Sequence, residues 1–103
     1  MIIYNVTVKI NLEVHDNWLA WMKESHIPDV MHTGYFKGHK LVYILDQDEA
    51  EGKTYAIQYF CESIAKLKEY QDTAAPVLQE EHTAKFKDQF VAFRTIMEEV
   101  DIS

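Results

Sequence analysis

Residues 2–14, IIYNVTVKINLEV, decide the fold. Ile2, Tyr4, Val6, Val8, Ile10, Leu12 and Val14 fall on one side of an extended chain. Asn5, Thr7, Lys9, Asn11 and Glu13 fall on the other, with Ile3 the apolar exception. A period of two sustained this far is a strand signal, because successive side chains of a strand point to opposite faces. One face is apolar enough to need a cover of helices. The other is polar.

The cover follows directly. Asp16 or Asn17 is placed to cap a helix over residues 16–27, since a short side-chain oxygen accepts from free first-turn N–H groups. Trp18, Leu19, Trp21, Met22, Ser25 and His26 share one broad arc of it. Pro28 disfavours helical geometry at Ile27, so a break or kink is expected there, followed by a short turn over 29–32. Thr33-Gly34 ends it, as glycine takes a left-handed C-terminal conformation readily.

Residues 35–45 then read as a second strand, with Gly38 a candidate bulge. The acidic stretch DQDEAEGK, 46–53, reads as a hairpin loop, and TYAIQYFC, 54–61, as a third strand. Ser63 can cap a helix carrying Ile64, Leu67 and Tyr70. That helix breaks at 72–75, and Pro76 suits the first turn of another. There Leu78, His82 and Phe86 stack at i, i+4 and i+8. Residues 89–98 form the last strand, with Phe90, Ala92, Arg94 and Ile96 on one face and Val91, Phe93, Thr95 and Met97 on the other.

The order β-α-β-β-α-β is that of the ferredoxin-like α+β fold, with a four-stranded antiparallel sheet and helices on one face only. The open face would expose Phe90, Phe60, Ala92, Ile96 and Ile3. A monomer rarely leaves such a patch in water, so a homodimer with sheets face to face is expected, a dimeric α/β-barrel assembly with a cleft between the sheets.

At 103 residues the chain makes one domain, 1–103. The net charge of −7 and the lack of a Lys/Arg cluster argue against nucleic acid or an anionic membrane as partner. A single cysteine, Cys61, rules out an intramolecular disulfide and a Cys-only zinc site. The opening MIIYN has no basic n-region and no stretch is long enough to span a bilayer, so a cytoplasmic protein is expected.

Four segments carry a resemblance: MIIYNVTV at 1–8, WLAWMKESHIPDVMHTGYF at 18–36, YAIQYF at 55–60 and AAPVLQEEHTAKFKDQFVAFRT at 74–95. Together they resemble a family of short bacterial proteins of unknown function, itself similar to the dimeric α/β-barrel superfamily of ferredoxin-like proteins. The resemblance implies the same fold and a dimer. It carries no reaction, since that superfamily includes cofactor-free oxygenases, haem-handling proteins, small isomerases and domains without a known reaction.

The candidate site residues follow from the expected faces. In the ferredoxin-like order the first strand lies between the third and fourth, so Asn5 and Thr7 are expected beside Gln58 and Arg94 on the open face. An amide pair, a hydroxyl and a planar guanidinium fork suit a small carboxylate or carbonyl. The plainer alternative is a polar network satisfying itself across the dimer. His26, at the edge of its helix, is the candidate general base, against a plain role bonding a turn carbonyl. His82, between Leu78 and Phe86, is a further ligand-binding candidate with the same plain alternative. Cys61 reads as a small core residue, and the histidines lack metal-ligand spacing, so no metal is expected.

The expected function is therefore a small homodimer that binds a small organic ligand in the cleft, with no cofactor. Three alternatives stand beside it, and whether the protein is an enzyme stays open. One is a cofactor-free oxygenase or isomerase with His26 as base and Arg94 or Asn5 steadying negative charge. Another is haem binding through His26 or His82, and the last is a protein-interaction module.

Overall fold

Four strands carry the structure: β1, Ile2–Asn11; β2, Gly38–Tyr43; β3, Gly52–Cys61; and β4, Phe90–Glu98. In this computed structural model, which describes residues 1–45 and 47–102, they form one antiparallel sheet in the order β2-β3-β1-β4. Helices α1, His15–Trp21, and α2, Ile27–His32, connect β1 to β2. Helices α3, Ile64–Thr73, and α4, Ala75–Lys85, connect β3 to β4. This is the ferredoxin-like βαββαβ arrangement.

β1 is one of the two inner strands, beside β3. Its Ile2, Tyr4, Val8 and Ile10 are buried against Trp18, Met22, Leu67, Leu78 and their neighbours. The apolar alternation runs on to Val14, yet the strand stops at Asn11 and Leu12–Val14 form a 3-10 turn. The reason is loss of partners. β3 begins at Gly52 opposite Asn11, and β4 begins at Phe90 opposite Ile10, so the chain beyond has no ladder to join. Its last bonds run to the loops, from Asn11 N–H to the Gln89 carbonyl at 2.9 Å and from Leu12 N–H to that of Glu51 at 3.3 Å.

The first helical connection departs from expectation in two ways. No side chain caps α1, and Asp16 instead accepts from His15 Nδ1 at 2.8 Å. Nor does the chain break at Pro28. A π-helical turn, Met22–His26, joins α1 to α2 without interruption, and the Ile27 N–H reaches back five residues to the Met22 carbonyl. Proline lacks an N–H and its ring crowds the carbonyl four residues back. A wider turn just before it relieves both, and Pro28 then sits in the first turn of α2. Gly34 ends α2 with φ 84°, and its N–H bonds the Met31 carbonyl at 3.2 Å.

Gly38 opens β2 without a bulge, paired with Phe60. The acidic loop is shorter at its far end than expected, since Gly52 and Lys53 already belong to β3; Asp46 lies outside the described residues. Ser63 caps α3, its hydroxyl accepting from Lys66 N–H at 3.2 Å, and the junction to α4 falls at Ala74, with Pro76 in the first turn of α4. Cys61 is buried, and its thiol donates to the Tyr35 and Ser63 carbonyls, as suits a small core residue.

The register corrects one expectation about β4. Ile10, Val8, Val6 and Tyr4 lie opposite Phe90, Ala92, Arg94 and Ile96, so those β4 residues face the helices. The open face instead carries Val91 and Phe93, 68% and 62% exposed, with half-buried Ile3, Phe60 and Met97.

Gly52 meets a hard constraint where β1 and β3 start to pair. A Cβ there would lie 2.6 Å from the Ile10 carbonyl oxygen, a backbone atom. Gly52→Ala is expected to destabilise the fold by about 1–3 kcal/mol, as overpacking does. Urea unfolding checks this: a midpoint equal to wild type would show that the strands can part at no cost.

Candidate ligand-binding cavity

Between the helix-facing side of the sheet and the helices lies a cavity of about 210 Å³. β1 supplies Tyr4, Val6 and Val8 to its floor, and β4 supplies Phe90, Ala92 and Arg94. Val6 is only half-buried within an otherwise buried row because it borders this space. His26 comes from the π turn, and Gln79, His82 and Thr83 from α4.

The π turn places His26. Residues five apart lie about 140° from each other around an α-helix, too far to stack. Here His26 stacks on Trp21, five residues before it, with ring centroids 4.9 Å apart. The i, i+4, i+8 stripe of α4 places His82. Its ring stands edge-on to Phe90 at 4.3 Å and to His26 at 5.6 Å. The Trp18 indole N–H donates to His82 Nε2 at 2.9 Å. An acceptor at Nε2 leaves Nδ1 to carry the hydrogen, so the buried indole sets the His82 tautomer.

Both rings are held neutral. Burial chiefly lowers His26 to about 4, against the upward pull of Asp29 and with a smaller downward contribution from Arg94. Burial, then His26, then Arg94 lower His82 to about 4. The Tyr59 and Tyr70 hydroxyls are pushed well above the usual phenol range, chiefly by burial, so they stay protonated. Among the described residues two buried side-chain polar atoms have no partner: the Tyr4 hydroxyl, on a residue 1% exposed, and His26 Nδ1. An unsatisfied buried polar group costs about 1–3 kcal/mol. Among the described residues no three His, Cys, Asp or Glu side chains converge to hold a metal ion.

A protein family known as "Domain of unknown function (DUF4286)" matches residues 1–100. The chain belongs to the DUF4286 family. No curated relative matches. Solved structures similar to this DUF4286 chain include an ethyl tert-butyl ether d (ethd) family protein from Bacillus halodurans, 14% identical with TM-score 0.67, which covers 97% of this chain and 100% of its own. An antibiotic biosynthesis monooxygenase is 15% identical with TM-score 0.64, covering 98% and 100%. A MhuD variant with two manganese protoporphyrin IX bound per active site is 13% identical with TM-score 0.64, covering 100% and 99%. At such identities the likeness is one of fold.

Of the residues singled out from the DUF4286 sequence, the structure brings together His26, His82 and Arg94 in this cavity. It separates them from Asn5, Thr7 and Gln58. Those three occupy the open face, where Asn5 pairs with Gln58 and Thr95, while Arg94 pairs with Val6 and so faces the other way. Asn5 and Thr7 are buried, and the Asn5 amide donates to Thr7 Oγ1 at 3.0 Å. Arg94 is thus misplaced by one sheet face in the sequence reading. Tyr4 is core, as its position in the alternation implies, but its free hydroxyl has no sequence signal beyond a lone tyrosine in an aliphatic row.

The neutral histidines make stability depend on pH. Unfolded, each ring takes a proton near 6.5; folded, only near 4. Between those values the unfolded state binds more protons, so stability falls as pH drops through this window and levels below it. Each ring contributes up to about 3 kcal/mol to that fall. Thermal unfolding of wild type and a His26→Gln/His82→Gln pair from pH 7 to 4 checks this. The variant is expected to show the shallower slope, and parallel slopes would mean both rings titrate normally.

Proposed function

We propose that this protein is a homodimeric small-molecule binding protein that takes its ligand into the cavity between sheet and helices. The observation that carries this is that two residues lining one cavity, Tyr4 and His26, each hold a buried polar atom, Oη and Nδ1, without a partner among the described residues. A bound molecule with polar groups of its own is the source of partners in this reading. The open sheet face supports the dimer: Val91 and Phe93 extend an apolar patch around the buried Asn5–Thr7 pair. In this reading Asn5, Thr7 and Gln58 form the polar centre of the interface, and the protein works in the cytoplasm.

Native mass spectrometry of gently purified protein tests both parts. A dimer with an added small mass is expected. Phe93→Asp is expected to give monomers, and Ala92→Phe, which fills the cavity floor, to lose the added mass while staying dimeric. A wild-type monomer would remove the interface, and an added mass retained by Ala92→Phe would remove the cavity.

A second reading, a cofactor-free enzyme of oxygenase or isomerase type, gains from one observation: His26 and Arg94 border the same cavity. A neutral ring with an unpaired nitrogen can accept a proton from an enolisable substrate while the guanidinium steadies the enolate. Deuterium exchange at the α-carbon of a small cyclic ketone, followed by NMR, tests it. Wild type is expected to speed exchange and His26→Gln to lose about a hundredfold or more. Equal rates for the two would leave binding alone.

Haem suits the residues present less well. The cavity lies below the roughly 300–1,000 Å³ of pockets for drug-sized ligands, and Trp18 already occupies His82 Nε2. His26 offers its ring only from a stack against Trp21.

A further inference from the structure

We infer that the cavity selects a small organic anion: an apolar body of about one ring bearing a carboxylate-type group directed to Arg94. This rests on the reading of the cavity as a ligand site and names the chemical class that site takes.

Charge is the first argument. The chain carries 17 acidic residues and nine lysines but only one arginine, Arg94. That arginine borders the cavity, and no carboxylate lies within ion-pair distance of it among the described residues. No Asp or Glu lines the cavity either. In a chain of net charge −7, an unpaired guanidinium at an acid-free pocket is a local reversal of the overall field. Its charge reaches the interior as the smallest of the causes that lower His26 and His82, and at His26 the Asp29 carboxylate outside the lining outweighs it. An ammonium ligand would find a like charge there and no counter-ion.

The second argument is the count of donors. Arg94 offers its planar fork, which matches a carboxylate in bidentate geometry. The Tyr4 hydroxyl is unpartnered and the Trp18 bond leaves His82 as an N–H donor. Only His26 brings a free ring nitrogen able to accept. Gln79, Thr83 and the tyrosine hydroxyls of the lining can donate or accept, so the preference for an acceptor-bearing ligand rests on Arg94, which can only donate.

Size is the third. An apolar cavity of about 150 Å³ holds benzene. At about 210 Å³ this cavity has room for one ring and a short polar substituent, with Val6, Val8, Phe90 and Ala92 against the ring.

Benzoate, its neutral isostere benzamide and the cation benzylamine form the test set, titrated at low salt into the intact protein. Side-chain NMR of Tyr4, His26 and His82 reports occupancy. Benzoate is expected to bind up to about fivefold more tightly than benzamide, as an ion pair to an exposed guanidinium implies. Benzylamine is expected to leave the resonances unmoved. Arg94→Gln should erase the benzoate preference while keeping benzamide binding, and Arg94→Lys should restore part of it. Equal binding of benzoate and benzamide by wild type would overturn the anion class and leave the cavity as a binding site. No shift of those resonances by any of the three, up to about millimolar ligand of the weakest useful affinity, would overturn both.

Discussion

Double pairing of β1 is the constraint from which the other features follow. Ten residues, Ile2 to Asn11, are paired with β3, and nine of these with β4 as well. Because side chains alternate, a slip of one residue on either side would turn a whole row of β4 over. At the present register Val6 lies between Ile57 and Arg94. The one guanidinium of the chain is thereby put on the helix side, and Val91 and Phe93 on the outside. Gly52 lets the β1–β3 end of this arrangement close, since no Cβ fits beside the Ile10 carbonyl.

The helix side answers with aromatic packing rather than aliphatic filling. Trp18, Trp21, His26, His82, Phe86 and Phe90 touch one another through their rings. Rings are rigid and flat, so a cluster of them holds its shape around a gap that flexible side chains would collapse into. Two members are histidines, and burial keeps both neutral. The Trp18 bond fixes the hydrogen of one. The other keeps a nitrogen unengaged. Neighbouring rings of the same type thus acquire different hydrogen-bonding roles from their surroundings alone.

The element order was legible because the signals are local: alternation in β1, the stripe of Leu78, His82 and Phe86, the cap at Ser63, the turn at Gly34. Two features of the site were not. β4 is FVAFRTIM, with apolar residues in both rows, so its period of two fixes a strand but not which row faces the helices. Only the pairing with β1 decides that, and it is a long-range fact. Pro28 is the other case. Its local meaning is a helix end, because the missing N–H and crowded ring forbid an ordinary turn. The π turn satisfies the same local rule while keeping the helix, and the choice between the two depends on burying Met22, Ile27 and Val30 together against the sheet.

That choice has a cost that bears on function. π turns are rarer than α turns and occur often at functional sites. Here the wide turn brings to the cavity a histidine whose Nδ1 finds no partner among the described residues, and Tyr4, whose hydroxyl is in the same condition, lines that cavity too. Two such atoms cost about 2–6 kcal/mol together, against a typical domain stability of about 5–15 kcal/mol. Phenylalanine at position 4 would remove one penalty without changing the packing volume much, and a leucine at 26 would remove the other. Stability alone would favour both replacements, which is why these two atoms support the proposed ligand site. On the proposed reading, the acid-free lining around Arg94 suits an acceptor-bearing, negatively charged ligand.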